Sequence, residues 1–340
     1  MSQCCRGTSI MSIVTLTLNP AIDQTIFINN FQLETVNRAY DLKSHAGGKG
    51  VNVASLLAAN GHKVVATGFL GDQNTELFDK LFAEKQIDDQ FIRIPGQPRV
   101  GIKISDQQTQ RTTEINLPGL TPTNEQLDAI RATIKRLAAD DNQWFILAGN
   151  VPPGIPSTIY GQLIEIIRAA GKQVVLDTSG EALRYGLAAS PTIAKPNLAE
   201  LEQFVGYPLT SEQAAAKAGR ELLSHGIKLV VISMGEHGAL FLDNAQSLVA
   251  IPPSVAVQST VGAGDAMVSG LVAAQTQGLD LAASARLATA FAAAKITQLG
   301  SNLPAAEIVE QIRADVVIRP CNAQLDVLQR GANQLKGVPL

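Results

Sequence analysis

The chain has 340 residues, 46% hydrophobic and 17% charged, so it can bury a large core and is not a disordered chain. Its 27 Lys and Arg residues against 30 Asp and Glu residues give a net charge of -3, which argues against a nucleic-acid partner. Three cysteines are too few for a disulfide framework and favour a reducing compartment such as the cytoplasm. No apolar run is long enough to span a bilayer, so we expect no membrane association.

Short β-branched runs alternate with helical patterns along most of the chain. The expected strands lie at 13–18, 64–70, 144–149, 174–179, 192–197 and 228–235. The expected helices lie at 50–61, 74–86, 123–139, 157–171 and 210–226, and two of them begin with capping-box pairs, Thr123 with Gln126 and Thr210 with Gln213. This alternation predicts an α/β fold with a doubly wound, mostly parallel sheet flanked by helices.

Two segments break this rhythm and alternate apolar with polar residues instead. They span about 24–45 and 98–117 and predict β-hairpins with one solvated face. We interpret them as a small β-sheet lid, and an exposed apolar face on such a lid favours a homodimer formed through it. The main domain is then expected at 13–312, with terminal extensions at 1–12 and 316–340.

The sequence STVGAGDAMVSG at 259–270 places a glycine-rich turn at the start of a helical pattern. The free backbone N–H groups of Gly262, Ala263 and Gly264, together with the helix dipole, suit a phosphate or a developing negative charge. An ionised Asp265 beside them could accept a proton from an attacking hydroxyl. A helix cap is the alternative role for Asp265, and the motif alone does not separate the two.

A second glycine-rich turn, HAGGKGVN at 45–52, also opens a helix. Gly48 would let the backbone approach a ligand closely, with Lys49 inside the turn, and Asn52 can both donate to and accept from a sugar hydroxyl. Asp23 ends the segment LNPAID, after the first expected strand, where open α/β sheets form their ligand crevice. A tight strand-to-helix connection and an Asx turn are the respective alternatives.

Side chains with oxygen atoms that could bind a metal or a nucleotide lie at the ends of three further expected strands. Asn197 and Glu200 come after the strand at 192–197, and Asp177 ends another; such hard ligands suit Mg²⁺ held through water, with a helix cap or a surface acid as the alternative. Ser233 and Gly235 form a turn that could line a nucleotide site or could simply punctuate a hairpin.

Taken in this order, the motifs resemble the ribokinase-like carbohydrate kinases over about 13–304. The segments GGKGVN, AKPNLAE and STVGAGD carry the family resemblance. TLTLNPAID and TEINLPG resemble the phosphosugar branch, which acts on fructose 1-phosphate, tagatose 6-phosphate or fructose 6-phosphate. No G-x-G-x-x-G follows the first strand, which argues against a dinucleotide enzyme.

The resemblance implies ATP-dependent phosphoryl transfer to the C6 hydroxyl of fructose 1-phosphate, with ATP and Mg²⁺ as cofactors and a phosphorylated ketohexose as partner. The other two phosphosugars are alternatives, and so is a non-catalytic sugar-phosphate sensor. Asp265 would be the base, and the N–H groups of Gly262, Ala263 and Gly264 would form the anion hole.

The resemblance also assigns the binding residues. The sugar would be bound by Asp23, Gly48, Lys49 and Asn52, and its phosphate by Arg38, Arg99 and Lys103. ATP would lie along Lys195, Asn197, Ser233, Gly235, Gly262 and Gly264, and Glu200 would help to place Mg²⁺. Asp177 remains a second candidate for Mg²⁺ from its place after a strand. For Lys103 a plain surface charge remains the alternative.

Overall fold

A computed structural model describes residues 12–109, 111–298, 300 and 302–321, and within them the chain forms two β-sheets and a set of helices. The strands are β1 Ser12–Thr17, β2 Ala21–Ile28, β3 Asp41–Gly47, β4 Lys63–Gly71, β5 Asp88–Ile94, β6 Arg99–Asp106, β7 Arg111–Asn116, β8 Trp144–Ala148, β9 Gln173–Asp177, β10 Ile193–Ala194, β11 Leu229–Ser233, β12 Ala239–Leu242, β13 Ser247–Ile251 and β14 Val317–Pro320.

The α-helices, found in the same stretches of chain, are α1 Lys49–Ala59, α2 Glu76–Lys85, α3 Asn124–Ala139, α4 Ile159–Ala169, α5 Gly180–Ala188, α6 Leu198–Val205, α7 Glu212–Ser224, α8 Ala263–Thr276, α9 Leu281–Lys295 and α10 Ala306–Asp315. None of these helices is both long enough and apolar enough to cross a membrane.

The main sheet has the strand order β14-β13-β12-β11-β10-β9-β8-β1-β4-β5. Its strands run parallel from β5 to β11, and β12, β13 and β14 continue it antiparallel. The order reverses at β1, which lies between β4 and β8, and such a switch point is where open α/β sheets bind ligands. The α/β class and the mostly parallel sheet expected from the sequence are confirmed.

Helices cover both faces of this sheet, because its strands are apolar on both sides. Ile146 of β8 packs into the layer formed by α1, α2, α8, α9 and α10, whereas its neighbours Phe145 and Leu147 pack into the layer of α3 to α7. All three side chains are fully buried. The result is a three-layer arrangement in which α1 and α8 start at the carboxyl edge of the sheet.

The second sheet has the order β3-β2-β6-β7 and contains both hairpins expected at 24–45 and 98–117. β2 pairs antiparallel with β3 and parallel with β6, and β6 pairs antiparallel with β7. Only three residues separate β1 from β2, so this lid sheet lies directly over the carboxyl end of β1.

Two expectations about local structure are wrong. The strand expected at 192–197 is only Ile193–Ala194, because Pro196 cannot donate to a ladder and Asn197 caps the next helix. The capping box expected at Thr210 is absent; Ser211 caps α7 instead, while the box at Thr123 is confirmed.

The expected terminal extension at 316–340 is also partly wrong. Residues 317–320 form β14, which pairs with β13 and extends the main sheet. Arg319 of β14 makes a two-pronged ion pair with Glu212 of α7, at 3.0 and 2.6 Å, and Glu212 is buried. Of the extension expected at 1–12, only Ser12 is described, as the first residue of β1, and residues 322–340 lie outside the described residues.

We predict that Arg319→Leu destabilises the fold by about 3 kcal/mol, because it leaves the buried Glu212 carboxylate unpaired. The matched control is Arg313→Leu, since Arg313 pairs with Glu310 on an exposed face of α10 and should cost no more than about 1 kcal/mol. Urea unfolding followed by the fluorescence of Trp144, the single tryptophan, measures both. Equal losses in the two variants would contradict the role given to this ion pair.

Candidate active site

A cleft of about 420 Å³ lies between the lid sheet and the carboxyl edge of the main sheet. Almost all site residues proposed from the sequence line it; the members of that set on its wall are Asp23, Gly48, Lys49, Asn52, Arg99, Lys103, Asp177, Lys195, Asn197, Glu200, Ser233, Gly262, Gly264 and Asp265. They come from the lid, from two helix starts and from the ends of β9, β10 and β11. The structure therefore brings together motifs that are far apart in the sequence.

The turn before α8 positions Asp265. Gly262 caps this helix with a φ of 79°, a left-handed conformation that glycine adopts without strain, and no side chain caps the helix. The Asp265 carboxylate is only 6% exposed and accepts a hydrogen bond from Asn52 Nδ2 at 2.7 Å. The capping alternative for Asp265 is thus wrong, and its carboxylate is directed into the cleft.

Asp177, at the end of β9, joins two lysines. Its Oδ1 lies 3.0 Å from Lys49 Nζ and 3.4 Å from Lys195 Nζ, while its Oδ2 is buried and has no hydrogen-bond partner among the described residues. Burial opposes ionisation of Asp177, but Lys195 and Lys49 outweigh it and lower its pKa. Burial likewise opposes the charge on Lys49, but Asp177 raises the pKa of Lys49 above its ordinary value. Asp177 and Lys49 therefore stay charged at neutral pH.

The surroundings of Asp265 raise its pKa, whereas those of Asp177 lower the pKa of that carboxylate. Burial, reinforced by the negative charge of Asp177, raises the pKa of Asp265 to about 6, against the opposing effects of Lys49, Asn52 and Lys195. A carboxylate with a pKa just below neutrality is ionised at pH 7 and is still basic enough to take a proton.

Asp23 lies at the centre of the lid face that covers the cleft. A Cβ on Gly47 would approach its Oδ2 to 2.6 Å, and a Cβ on Gly101 would approach its Oδ1 to 2.8 Å, so only glycine leaves room for this carboxylate. Lys103 Nζ lies 2.9 Å from Asp23 Oδ2. The Asx-turn alternative for Asp23 is wrong because Asp23 sits within β2, and Lys103 is not a plain surface charge because it is largely buried.

Arg99 lies at the other end of the same lid face. Its Nε donates to Asn19 O at 3.2 Å and one terminal nitrogen donates to Asn116 Oδ1 at 3.2 Å, which leaves further N–H groups towards the cleft. Sequence reasoning did not single out Asn19 or Asn116, although both belong to motifs that it quoted. Their partnership with Arg99 depends on how the lid folds over β1.

Asn197 and Glu200 form a capping box at the start of α6, with both hydrogen bonds at 2.8 Å. The capping alternative is therefore confirmed for this pair, although both side chains also line the cleft. Ser233 ends β11 on the cleft wall, and the turn after it, including Gly235, closes the β11–β12 hairpin. Ala263 begins α8 behind the wall.

Arg38 stands apart from the other expected residues. It is exposed in the loop between β2 and β3 and does not line the cleft of its own chain. The structure thus gives no support within one chain to its expected contact with the substrate phosphate.

The chain belongs to the pfkB family of carbohydrate kinases, which it matches over residues 16–308. It is 43% identical over 309 residues to 1-phosphofructokinase of Rhodobacter capsulatus, an alignment covering 91% of this chain and 98% of the relative. It is 42% identical over 313 residues to 1-phosphofructokinase of Xanthomonas campestris pv. campestris, with the same coverage.

Solved structures agree with this assignment. Phosphofructokinase-2 from Escherichia coli in complex with fructose-6-phosphate matches with a TM-score of 0.81 and 26% identity, covering 89% of this chain and 98% of that one. The protein is thus a ribokinase-like carbohydrate kinase, an enzyme that uses ATP to phosphorylate a sugar.

We predict that Asp265→Asn lowers kcat by at least about 100-fold, because the amide cannot accept the hydroxyl proton. Sugar binding should change little, since the side chain keeps its size. Steady-state ADP release gives kcat, and calorimetric titration with the sugar gives the affinity. A variant that retains most of its turnover would contradict the role of Asp265 as the base.

We also predict that kcat/KM rises with pH through an apparent pKa of about 6, because only the ionised Asp265 is active. Asn52→Ala removes a hydrogen bond that favours the ionised carboxylate, so its activity should rise at a higher pH than that of the wild type. Rate profiles of both proteins between pH 5 and 9 test this. An unshifted profile in Asn52→Ala would show that the hydrogen bond does not tune the base.

Proposed function

We propose that the chain transfers the γ-phosphoryl group of ATP to the C6 hydroxyl of fructose 1-phosphate, giving fructose 1,6-bisphosphate. The observation that carries this proposal is the polarity of a single cleft. Asp265, Gly262, Asp23 and Arg99 all line this cleft, and a smaller cavity beside it contains Gly262 and Asp23 but not Arg99. We infer from this that Asp23 lies between the glycine turn and Arg99. A ketohexose with a phosphate at one end and a free hydroxyl at the other fits this order, and the relatives named 1-phosphofructokinase agree with it.

Each residue has a defined part in the proposed reaction. Asp23 would accept hydrogen bonds from sugar hydroxyls, and the guanidinium of Arg99 would bind the phosphate that the substrate already carries. Asp265 would take the proton of the C6 hydroxyl as its oxygen attacks the γ-phosphorus and the bond to the ADP oxygen breaks. The N–H groups at Gly262, Ala263 and Gly264 would stabilise the charge on the transferred group.

ATP would lie along Lys195, Asn197 and Ser233, with its phosphates reaching the glycine turn. The described residues contain no cluster of three or more His, Cys, Asp or Glu side chains that could hold a metal ion. The unpartnered Oδ2 of Asp177 nevertheless suits a water-mediated contact with Mg²⁺, and Glu200 lies on the same wall. Mg²⁺ would neutralise phosphate charge when it is bound with ATP.

We propose the cytoplasm, where ATP and phosphosugars occur, as the compartment.

Tagatose 6-phosphate and fructose 6-phosphate are the alternative acceptors, since each also carries one phosphate and one free primary hydroxyl. The solved relative that binds fructose 6-phosphate keeps this alternative open. A non-catalytic sensor is less well supported, because a binder needs neither a buried base with a raised pKa nor an anion hole.

We predict that fructose 1-phosphate gives the highest kcat/KM among these three phosphosugars and free fructose. Arg99→Met should lower kcat/KM for fructose 1-phosphate by about 10- to 100-fold, because a charge-assisted contact with the phosphate is lost. The same variant should leave free fructose unaffected, since that sugar has no phosphate. The matched control is Arg93→Met, whose guanidinium pairs with Asp89 outside the cleft.

An ADP-release assay with each sugar measures all of these values. Preference for free fructose, or equal loss with both sugars in Arg99→Met, would contradict the phosphate site.

We further propose a homodimer formed through the lid. Along the lid strands the side chains alternate between the cleft and the outer face, and most side chains of the outer face are apolar. Its exposed members include Leu42 at 54% and Ile115 at 47% exposure, and Leu33 and Val36 extend it along the loop that carries Arg38. A second lid packed on this face would cover it and would bring Arg38 close to the partner's cleft, where it could bind the phosphate.

We predict that Ile115→Glu halves the molecular mass in solution, because it places a charge on this apolar face. Ile308→Glu is the matched control, since Ile308 is equally exposed, at 46%, on α10 away from the lid. Light scattering after size-exclusion chromatography gives the mass. A monomeric wild type, or a dimer that Ile115→Glu leaves intact, would contradict the proposal.

A further inference from the structure

Lys295, the last residue of α9, is a buried cation to which the proposed reaction gives no part. It is 3% exposed, as is Lys195. Lys195 is paired with Asp177, whereas no carboxylate in the described residues lies within ion-pair distance of Lys295. Burying a cation without a paired anion costs several kcal/mol, so the burial of Lys295 needs a compensating role.

The side chain of Lys295 lies against the glycine turn. A Cβ placed on Gly262 would be 3.3 Å from Lys295 Cε and 3.9 Å from Lys295 Nζ. The same Cβ would be 3.9 Å from Asp265 Oδ2. The ammonium and the catalytic carboxylate therefore flank the first residue of the anion hole.

The ammonium of Lys295 is sparsely bonded. Within the described part of the chain it donates one hydrogen bond, to Gln298 O at 3.3 Å, although it has three protons to donate. It also lines a small cavity under the lid that shares Asn52 and Gly262 with the catalytic cleft. Its positive charge is therefore not neutralised locally and can act on groups in that cleft.

The charges around Lys295 come from several elements. Asp265 of α8 attracts it and Lys103 of β6 repels it, while the cavity also contains Asp23, Lys43 and His45 of the lid. Negative charge accumulates at the glycine turn during phosphoryl transfer, so a nearby positive charge stabilises the transition state more than the ground state.

We propose that Lys295 is a positioning residue for this reaction: its stem supports the Gly262 turn, and its ammonium strengthens the anion hole that the turn forms. The inference rests on the proposed function, because it assumes that negative charge develops at this turn.

The first test compares Lys295→Met, which keeps most of the stem and removes the charge, with Lys295→Arg, which keeps the charge. The methionine variant should lose about tenfold in kcat, the effect of one charge acting at this range in a partly buried site, with KM for fructose 1-phosphate within twofold of wild type. The arginine variant should recover part of that loss. Lys135→Met, which removes an exposed charge from α3, is the control and should keep wild-type kcat.

A pH profile separates the charge from the packing of the stem. Burial lowers the pKa of Lys295 below its ordinary value, so its charge is lost at a lower pH than that of an exposed lysine. The wild-type kcat should therefore fall on the alkaline side, and this fall should be absent from Lys295→Met. It should move beyond the measurable range in Lys295→Arg, because arginine stays protonated.

Lys295→Met with wild-type kcat, or with the alkaline fall intact, overturns the inference. If the methionine variant does not fold, Lys295→Arg decides, and an alkaline fall at the wild-type position overturns it. These outcomes are distinct from failure of the proposed function, which would appear as a wild-type enzyme that does not turn over fructose 1-phosphate. The variants would then be compared on the sugar that the wild type does phosphorylate.

Discussion

The buried carboxylate of Asp177 is the interaction on which the rest of the site depends. It holds Lys49 from the start of α1 and Lys195 from the segment after β10 within 3.4 Å of one oxygen atom. Without that negative charge the two ammonium groups would repel each other at the carboxyl edge of the sheet. Because they are held beside Asp265, the two lysines oppose the rise in its pKa that burial and Asp177 cause.

The two faces of the lid sheet differ in character: one carries the polar side chains that line the cleft, and the other carries mostly apolar side chains. Asp23, Lys103 and Arg99 lie on the cleft side, where Gly47 and Gly101 provide space for the Asp23 carboxylate. The alternation of a β-strand places apolar side chains on the opposite side, and they are left partly exposed. The same period-two pattern thus builds the proposed sugar site on one face and the proposed dimer surface on the other.

The sequence predicted the features that depend on local pattern. The parallel sheet, the lid hairpins and the glycine turn before Asp265 follow from strand and helix periodicity and from short motifs. Features that depend on long-range packing were not predictable. The ion pair between Lys49 and Asp177 joins residues 128 apart in the sequence. The hydrogen bond from Arg99 to Asn19 O depends on the angle at which the lid sheet lies over β1. Strand β14 was missed because four residues of an edge strand carry too little pattern, and Lys295 was missed because its ordinary helical context gives no signal.

Together with burial, Asp177 and its two lysines determine the acidity of Asp265, the proposed catalytic base. The most direct measurement is the pH dependence of kcat/KM for Asp177→Asn against wild type. Loss of the Asp177 charge removes a group that raises the pKa of Asp265 and leaves Lys49 and Lys195 free to lower it, so both effects have the same sign. The rise in activity should then move below its wild-type position near pH 6 by about one unit, the change that one nearby charge produces. A rise that stays in place, or moves to higher pH, would contradict the account.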